Sequence, residues 1–239
     1  MLAACSSGTE AKQIQPPAPE ISAPSAITEA FLPPLLPEGV DVVAVPLERY
    51  TSMWQRPGAP APLYAMDTRN PRGTLAPLLV HDARRWDGSA WFEVFLPMRP
   101  NGTTAWVHGT DVTLREMDER IEVDLSDRLL RHFVGDELMH RFSVGVGSSG
   151  TPTGTGEFYV WVKVPYEDPN QAYGIMALGL SGFSPVLSDW PGEGRMAIHG
   201  TPNAGDRGRP VSHGCVRVFN DDMEALVDVP LGTPVIIQA

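Results

Sequence analysis

Short apolar runs, cut at roughly ten-residue intervals by proline or glycine, constrain this chain more than any other feature, because runs of that length suit strands joined by turns. Twenty-four prolines and 23 glycines among 239 residues supply the breaks. Between residues 40 and 115 the runs are Val40–Val45, Thr74–Val80, Trp91–Leu96, Ala105–His108 and Val112–Leu114. Beyond them Ile121, Val123 and Leu125 alternate with polar neighbours, as in a strand with one buried face. Leu129–Val134 and Leu138–Val146 flank a Gly135-Asp136 turn and predict a hairpin. Glu157–Val164, Arg195–His199 and Val235–Ile237 read as three more strands. One short helix is predicted, opened by Asp221 as N-cap with Glu224 three residues on, and reaching about Val227. Pro165–Gly194 has little periodicity and reads as one long connection, a lid over a groove, with Tyr173, Met176, Phe183 and Trp190 as candidate substrate contacts. The expected fold class is all-β.

Bulk properties narrow the partners. A net charge of −11 leaves no basic footprint for a phosphate backbone, so nucleic acid is not expected as a partner. No stretch approaches the ~20 apolar residues that span a bilayer. The opening Leu2-Ala3-Ala4-Cys5 resembles the lipobox of bacterial lipoproteins, which implies that residues 1–5 are a signal-peptide remnant and that Cys5 is lipidated. The expected location is the extracytoplasmic cell envelope, on the outer face of a membrane, held by the lipid anchor only. Residues 6–38 hold seven prolines (Pro16, Pro17, Pro19, Pro24, Pro33, Pro34, Pro37) among Ser, Ala and Glu. Such a composition builds no core and favours extended polyproline, a flexible tether reaching up to ~100 Å at ~3 Å per residue. The two cysteines, Cys5 and Cys215, stand in contexts that argue against a disulfide: a tether at one end, a motif that uses a free thiol at the other.

The chemistry is concentrated in Ala197-Ile198-His199-Gly200-Thr201 and Ser212-His213-Gly214-Cys215-Val216-Arg217. A thiol attacks acyl carbon as thiolate, and a free cysteine with a pKa near ~8.5 is mostly protonated at neutral pH. It therefore needs a base or a cation beside it, and two histidines are close in sequence. Gly214 removes side-chain bulk, so that backbone N–H groups can face a developing oxyanion. Read as an extended strand, Ser212–Arg217 puts His213, Cys215 and Arg217 on one face. There the guanidinium would lower the thiol pKa and hold a substrate carboxylate, or else serve a structural ion pair. A zinc site built from Cys215, His199 and His213 lacks an evident fourth ligand, and no metal is expected. A merely buried Cys215 would leave the surrounding motif unexplained. His81, His108, His132 and His140 have no chemical neighbour in sequence and are taken as ordinary side chains.

His-Gly-Thr, the sixteen residues from its histidine to the cysteine, and Ser-His-Gly-Cys-Val-Arg together resemble the signature of the L,D-transpeptidases. Thr151-Pro152-Thr153-Gly154 is similar to that family's Thr-Pro-x-Gly-x-Phe element, with extra residues before Phe158. Val229–Val235 is similar to its closing turn and strand. The resemblance implies a β-sandwich catalytic domain over 117–239, with Cys215 as nucleophile, His199 as base and the Gly200 carbonyl orienting His199. Strand periodicity, in contrast, puts His213 on the cysteine's face, and the choice between the two histidines stays open. Backbone N–H groups around Gly214 and Cys215 would form the oxyanion hole, and Ser212, Arg217, Tyr173 and Trp190 would bind substrate. The implied partners are peptidoglycan stem peptides, a donor tetrapeptide and an acceptor amine, with carbapenem-type β-lactams as inhibitors and no cofactor. Water as acceptor would make an L,D-carboxypeptidase, and a protein amine would attach protein to the wall. Residues 39–116, with Asp87–Val94, Leu96–Gly102 and Ala105–Val107, resemble a bacterial Src-homology-3-like barrel. That segment is also the basis of the contrasting reading, an inactive peptidoglycan-binding module.

Overall fold

The computed structural model describes residues 34–189 and 192–239; the Cys5 lipobox, residues 6–33 of the tether and Trp190 lie outside the described residues. Seven strands come first among these: β1 (Asp41–Pro46), β2 (Tyr50–Met53), β3 (Tyr64–Asp67), β4 (Leu78–Trp86), β5 (Ser89–Phe95), β6 (Thr104–His108) and β7 (Val112–Met117). Five of them form a sheet in the order β6-β5-β4-β1-β7. Val43 and Ala44 of β1 pair with Leu79 and Leu78 on one side and with Arg115 and Leu114 on the other. Enclosed in this way, Val42, Val43 and Ala44 are all buried, which is why the segment reads as an unbroken apolar run. The β2–β3 hairpin stands apart from that sheet and reaches it through Trp54, whose backbone exchanges two hydrogen bonds of 2.8 Å with Trp106. Its strands are four residues each with Tyr50 and Tyr64 exposed, too brief and too polar to register as an apolar run.

Ten strands follow: β8 (Glu119–Asp124), β9 (Leu129–Val134), β10 (Glu137–Ser143), β11 (Val146–Gly147), β12 (Gly156–Pro165), β13 (Met176–Phe183), β14 (Arg195–Thr201), β15 (Pro210–Ser212), β16 (Val216–Phe219) and β17 (Pro234–Gln238). Eight of these make one sheet in the order β10-β9-β8-β17-β12-β13-β14-β16, and β11 pairs with β15. Among the described residues the fold is all-β, with one short helix, α1 (Asn220–Met223), continued by a 3₁₀ turn over Glu224–Leu226. No helix among the described residues is long and apolar enough to cross a membrane.

Pro34–Ala239 is one compact unit, and β12 shows how its two larger sheets interlock. Side chains alternate across a strand. Phe158 and Val160 join the core of the larger sheet, with Ile121, Leu178 and Ile198. Tyr159, fully buried, and Trp161 point the other way into the core of the first sheet, with Val43 and Phe92. The Tyr159 hydroxyl donates to the Phe95 carbonyl at 3.2 Å, so the tyrosine is tied across the junction by a hydrogen bond as well as by burial.

Two expectations are corrected. Pro165–Gly194 is not one connection, because β13 runs through it with all eight residues, Met-Ala-Leu-Gly-Leu-Ser-Gly-Phe, buried. A strand covered on both faces has no apolar–polar alternation, and its two glycines look like loop signals. They are there for close approach: a Cβ at Gly179 would come 2.6 Å from Val162 Cγ1, and one at Gly182 would overlap the Phe158 ring. Met176 and Phe183 are accordingly core residues rather than exposed lid contacts. The helix is capped by Phe219, not Asp221, without a side-chain cap bond, and Asp221 lies inside its first turn. Asn220 cannot compete for the cap, since its amide donates to the Pro169 carbonyl and its oxygen accepts from the Ile175 N–H. Gly182→Ala is expected to cost about 2–3 kcal/mol by forcing Phe158 aside, read as a lower urea midpoint. An unchanged midpoint would mean that the ring yields without strain.

Candidate active site

The site is assembled at the edge of the larger sheet by β14, β16 and the turn between β15 and β16. β14 and β16 run parallel, with Ile198 opposite Val216 and His199 opposite Arg217. Cys215 sits just before β16, and the Ala197 N–H of β14 is directed at its sulfur. Ser212–Arg217 is not one extended strand: β15 ends at Ser212, and Gly214 adopts a φ of +115°, which an L side chain rarely reaches. The strand-periodicity argument that placed His213 and Cys215 on one face therefore lapses. Gly214 is in the motif for its backbone conformation.

Ser212 holds that turn shut. Its hydroxyl accepts from the Gly214 N–H at 3.1 Å and donates to the Cys215 carbonyl, and the residue is only 2% exposed. Its own carbonyl accepts from Ser148 N–H and Thr151 Oγ1, both at 3.0 Å, while Thr153 Oγ1 accepts from Gly147 N–H. The Thr151–Gly154 element thus braces the cysteine turn from behind. Ser212 borders the site, but its hydroxyl is committed to the turn.

His199 is buried, and its Nδ1 lies 2.7 Å from the Gly200 carbonyl. A carbonyl only accepts, so Nδ1 carries the proton and Nε2 keeps its lone pair. Burial pulls the imidazole pKa down to about 4, with the nearby Arg217 charge acting in the same direction and the Gly200 bond opposing. Tyr173 meets the ring edge-on at 4.9 Å and stacks on Tyr166 at 5.7 Å. Gly200 must be glycine, because a Cβ there would come 2.5 Å from Asn220 Oδ1. Burial also pushes the Cys215 thiol up, against the Ala197 N–H and the Arg217 charge. The imidazole and the thiol therefore both rest uncharged at neutral pH.

Arg217 borders the site with its Nη1 3.1 Å from Asp206 Oδ2. Asp206, 4% exposed, also accepts from Thr201 Oγ1 at 3.0 Å and Asn203 Nδ2 at 2.9 Å. This carboxylate lies between the two motifs, where no pattern of residues marks it. Arg217 Nε is buried with no partner among the described residues.

Two hollows meet at Cys215. One of about 90 Å³ is lined by Tyr173, His199, Ser212, His213, Cys215 and Arg217. The other, about 20 Å³, is lined by Ser184, Leu187, Gly194, Met196, His213 and Gly214 with the same cysteine. Larger hollows of about 510 Å³ beside Asp41 and Arg120, and about 410 Å³ beside His108 and Phe92, are lined by no cysteine. Chemistry rather than size selects the site. His213 is exposed and borders both small hollows. Among the described residues, no three His, Cys, Asp or Glu side chains gather as metal ligands.

The family model for the L,D-transpeptidase catalytic domain (YkuD) matches residues 118–237, which is 120 of 239 residues. The YkuD protein of Bacillus licheniformis is 35% identical over 119 residues, 49% of this chain and 64% of that protein. Its Bacillus subtilis counterpart is 32% identical over 118 residues, with the same two shares. The chain thus spans just under two thirds of the length of these relatives. Among solved structures, an L,D-transpeptidase from Mycobacterium smegmatis aligns with a TM-score of 0.40 and 17% identity, over 67% of this chain and 93% of that one. The Enterococcus faecium L,D-transpeptidase catalytic domain acylated by ertapenem aligns at 0.38 and 26%, over 52% and 99%. With half its length matched by the family model, and its cysteine motif inside the match, the chain belongs to the L,D-transpeptidase catalytic-domain family.

Proposed function

We propose that this chain is an L,D-transpeptidase of peptidoglycan, and the observation that carries the reading is the His199 Nδ1–Gly200 carbonyl bond beside Cys215. That bond fixes the tautomer whose free Nε2 can take a thiol proton. Cys215 Sγ attacks the carbonyl between the third and fourth residues of a tetrapeptide stem. As the S–C bond forms and the C–N bond breaks, the thiol proton passes through His199 to the departing D-alanine amine. An amine from a neighbouring stem then attacks the thioester, gives its proton back through His199 and frees the thiol, leaving a 3-3 cross-link. The Gly214 N–H is engaged by Ser212, which leaves the Cys215 N–H to meet the oxyanion. Arg217 is read as holding a stem carboxylate, a role supported by the Asp206 ion pair that anchors one end of its guanidinium.

Location and accessory parts follow the same reading. The Leu2-Ala3-Ala4-Cys5 segment supports lipidation at Cys5 and attachment to the outer face of a membrane, with residues 6–38 as tether. Residues 39–116 are read as a Src-homology-3-like module preceding the catalytic domain.

The test is incubation of wild type and Cys215→Ala with a purified disaccharide-tetrapeptide, followed by mass spectrometry. Loss of D-alanine with a dimer mass, in wild type only, is the expected result. Loss without dimer would assign L,D-carboxypeptidase action, and no change in either would remove the catalytic claim. A carbapenem is expected to add its whole mass to wild type, because thiol attack opens the lactam ring without a leaving group, and nothing to Cys215→Ala.

A further inference from the structure

The turn between β5 and β6 belongs to the first sheet, yet it reaches the rim of the cysteine site. Arg99 Nη1 donates to the Ser184 carbonyl at 3.0 Å. Its Nη2 donates to the carbonyls of Leu187 at 2.8 Å and Glu193 at 2.9 Å. One guanidinium therefore ties the entry and the exit of the β13–β14 loop together, and it lies 4.7 Å from the centre of the Phe183 ring. Asn101 adds a two-way bond to the Phe183 backbone, at 2.8 and 2.9 Å, where β13 ends. The loop neck is closed by the Ser184 N–H on the Gly194 carbonyl at 2.7 Å.

Gly194 makes the arrangement specific. Its φ is +74°, and a Cβ there would overlap the Leu187 carbonyl and lie 3.0 Å from Arg99 Nη2. The loop can approach the guanidinium this closely only with glycine at that position. Ser184, Leu187 and Gly194, the residues so tied, form one wall of the smaller hollow at Cys215, facing Gly214. A wall that must hold a peptide against a nucleophile works only at fixed distance.

We propose that the β5–β6 turn is part of the stem-binding site, with Arg99, seconded by Asn101, as a positioning residue that fixes the wall of Ser184, Leu187 and Gly194 beside Cys215. The proposal rests on the reading of Cys215 as the acylated residue. Arg99 touches no reacting atom, so its loss raises KM for the stem peptide while leaving the thiol and its base intact.

The test compares full-length wild type, Arg99→Ala and Arg99→Lys in D-alanine release, in alkylation of Cys215 by iodoacetamide and in thermal unfolding. KM is expected to rise about tenfold or more in both variants, with kcat and alkylation within about twofold and the melting temperature little changed. Lysine does not rescue, because its single nitrogen cannot stand at both Nη1, which meets Ser184, and Nη2, which meets Leu187 and Glu193. Unchanged KM in a folded variant overturns the proposal. So does a parallel fall in every readout with a lowered melting temperature, which marks Arg99 as a fold residue only. Should Arg99→Ala fail to fold, Arg99→Lys, which keeps a cation over Phe183, decides by the same KM criterion. Should wild type itself leave the stem untouched, the proposed function falls, and the ratio of Cys215 labelling by fluorescein-maleimide to that by iodoacetamide decides instead. A ratio shifted in Arg99→Ala supports the positioning role, and an unshifted one overturns it.

Discussion

His199→Gln is expected to slow acylation of Cys215 about 10³-fold, the usual range for a lost general base, while the fold survives. The acid limb of the wild-type profile carries the sharper test. The active form of a base is the unprotonated one, so rate is lost as pH falls through its pKa. Burial holds His199 at about 4, so kcat/KM should stay level from pH 7 to 5.5. An imidazole ionising near its ordinary ~6.5 would lose about tenfold over that interval, and such a loss would refute the burial argument. The same depression acts on stability with a definite sign. The unfolded chain takes up a proton below about 6.5 that the folded chain refuses until about 4, so stability present above 6.5 is lost as pH falls through that window. The difference corresponds to about 3 kcal/mol, and His199→Gln should remove that share of the pH dependence from urea midpoints taken at pH 7 and 4.5.

What the sequence disclosed about this site, and what it hid, divides along the range of the forces involved. Local patterns read correctly: the strand expected over Leu129–Val134 is β9 with the same ends, and Ile121 and Val123 are buried on alternate positions as their spacing requires. The all-β class follows from the same short-range signals. The histidine and cysteine segments were visible because their residue types carry chemistry that few other arrangements use, and parallel pairing of β14 with β16 brings them together. β13 was invisible because a fully buried strand has no second, polar face to give it a period. The turn at Gly214 is not legible in the sequence because a positive φ leaves no trace in hydropathy. Asp206 and Arg99 escaped for a different reason. Each acts through a partner 11 and more than 80 positions away, Arg217 in one case and the Ser184–Glu193 loop in the other. Only the fold brings those together.

Asp206→Ala is expected to lower stability by about 3 kcal/mol, and the reason is the charge it leaves behind rather than the bonds it removes. The carboxylate is nearly buried and takes three hydrogen bonds, whereas Arg217 retains 28% of its side-chain surface. Removing the partner strands a cation beside His199 and Cys215 whose Nε already lacks one. At roughly 2–4 °C per kcal/mol for a chain of this size, the melting temperature should fall by about 10 °C. Asp206→Ala with Arg217→Met removes the stranded charge together with its counter-ion, and the pair should recover about half of the loss. If instead the double variant is as unstable as the sum of the singles, the two residues act independently. The cost then lies in the Thr201 and Asn203 bonds, and Asp206 would be a brace for the turn after β14 rather than the anchor of Arg217. A recovery would establish the anchor, and with it the source of the fixed positive charge that helps hold the imidazole neutral until the thiol gives up its proton.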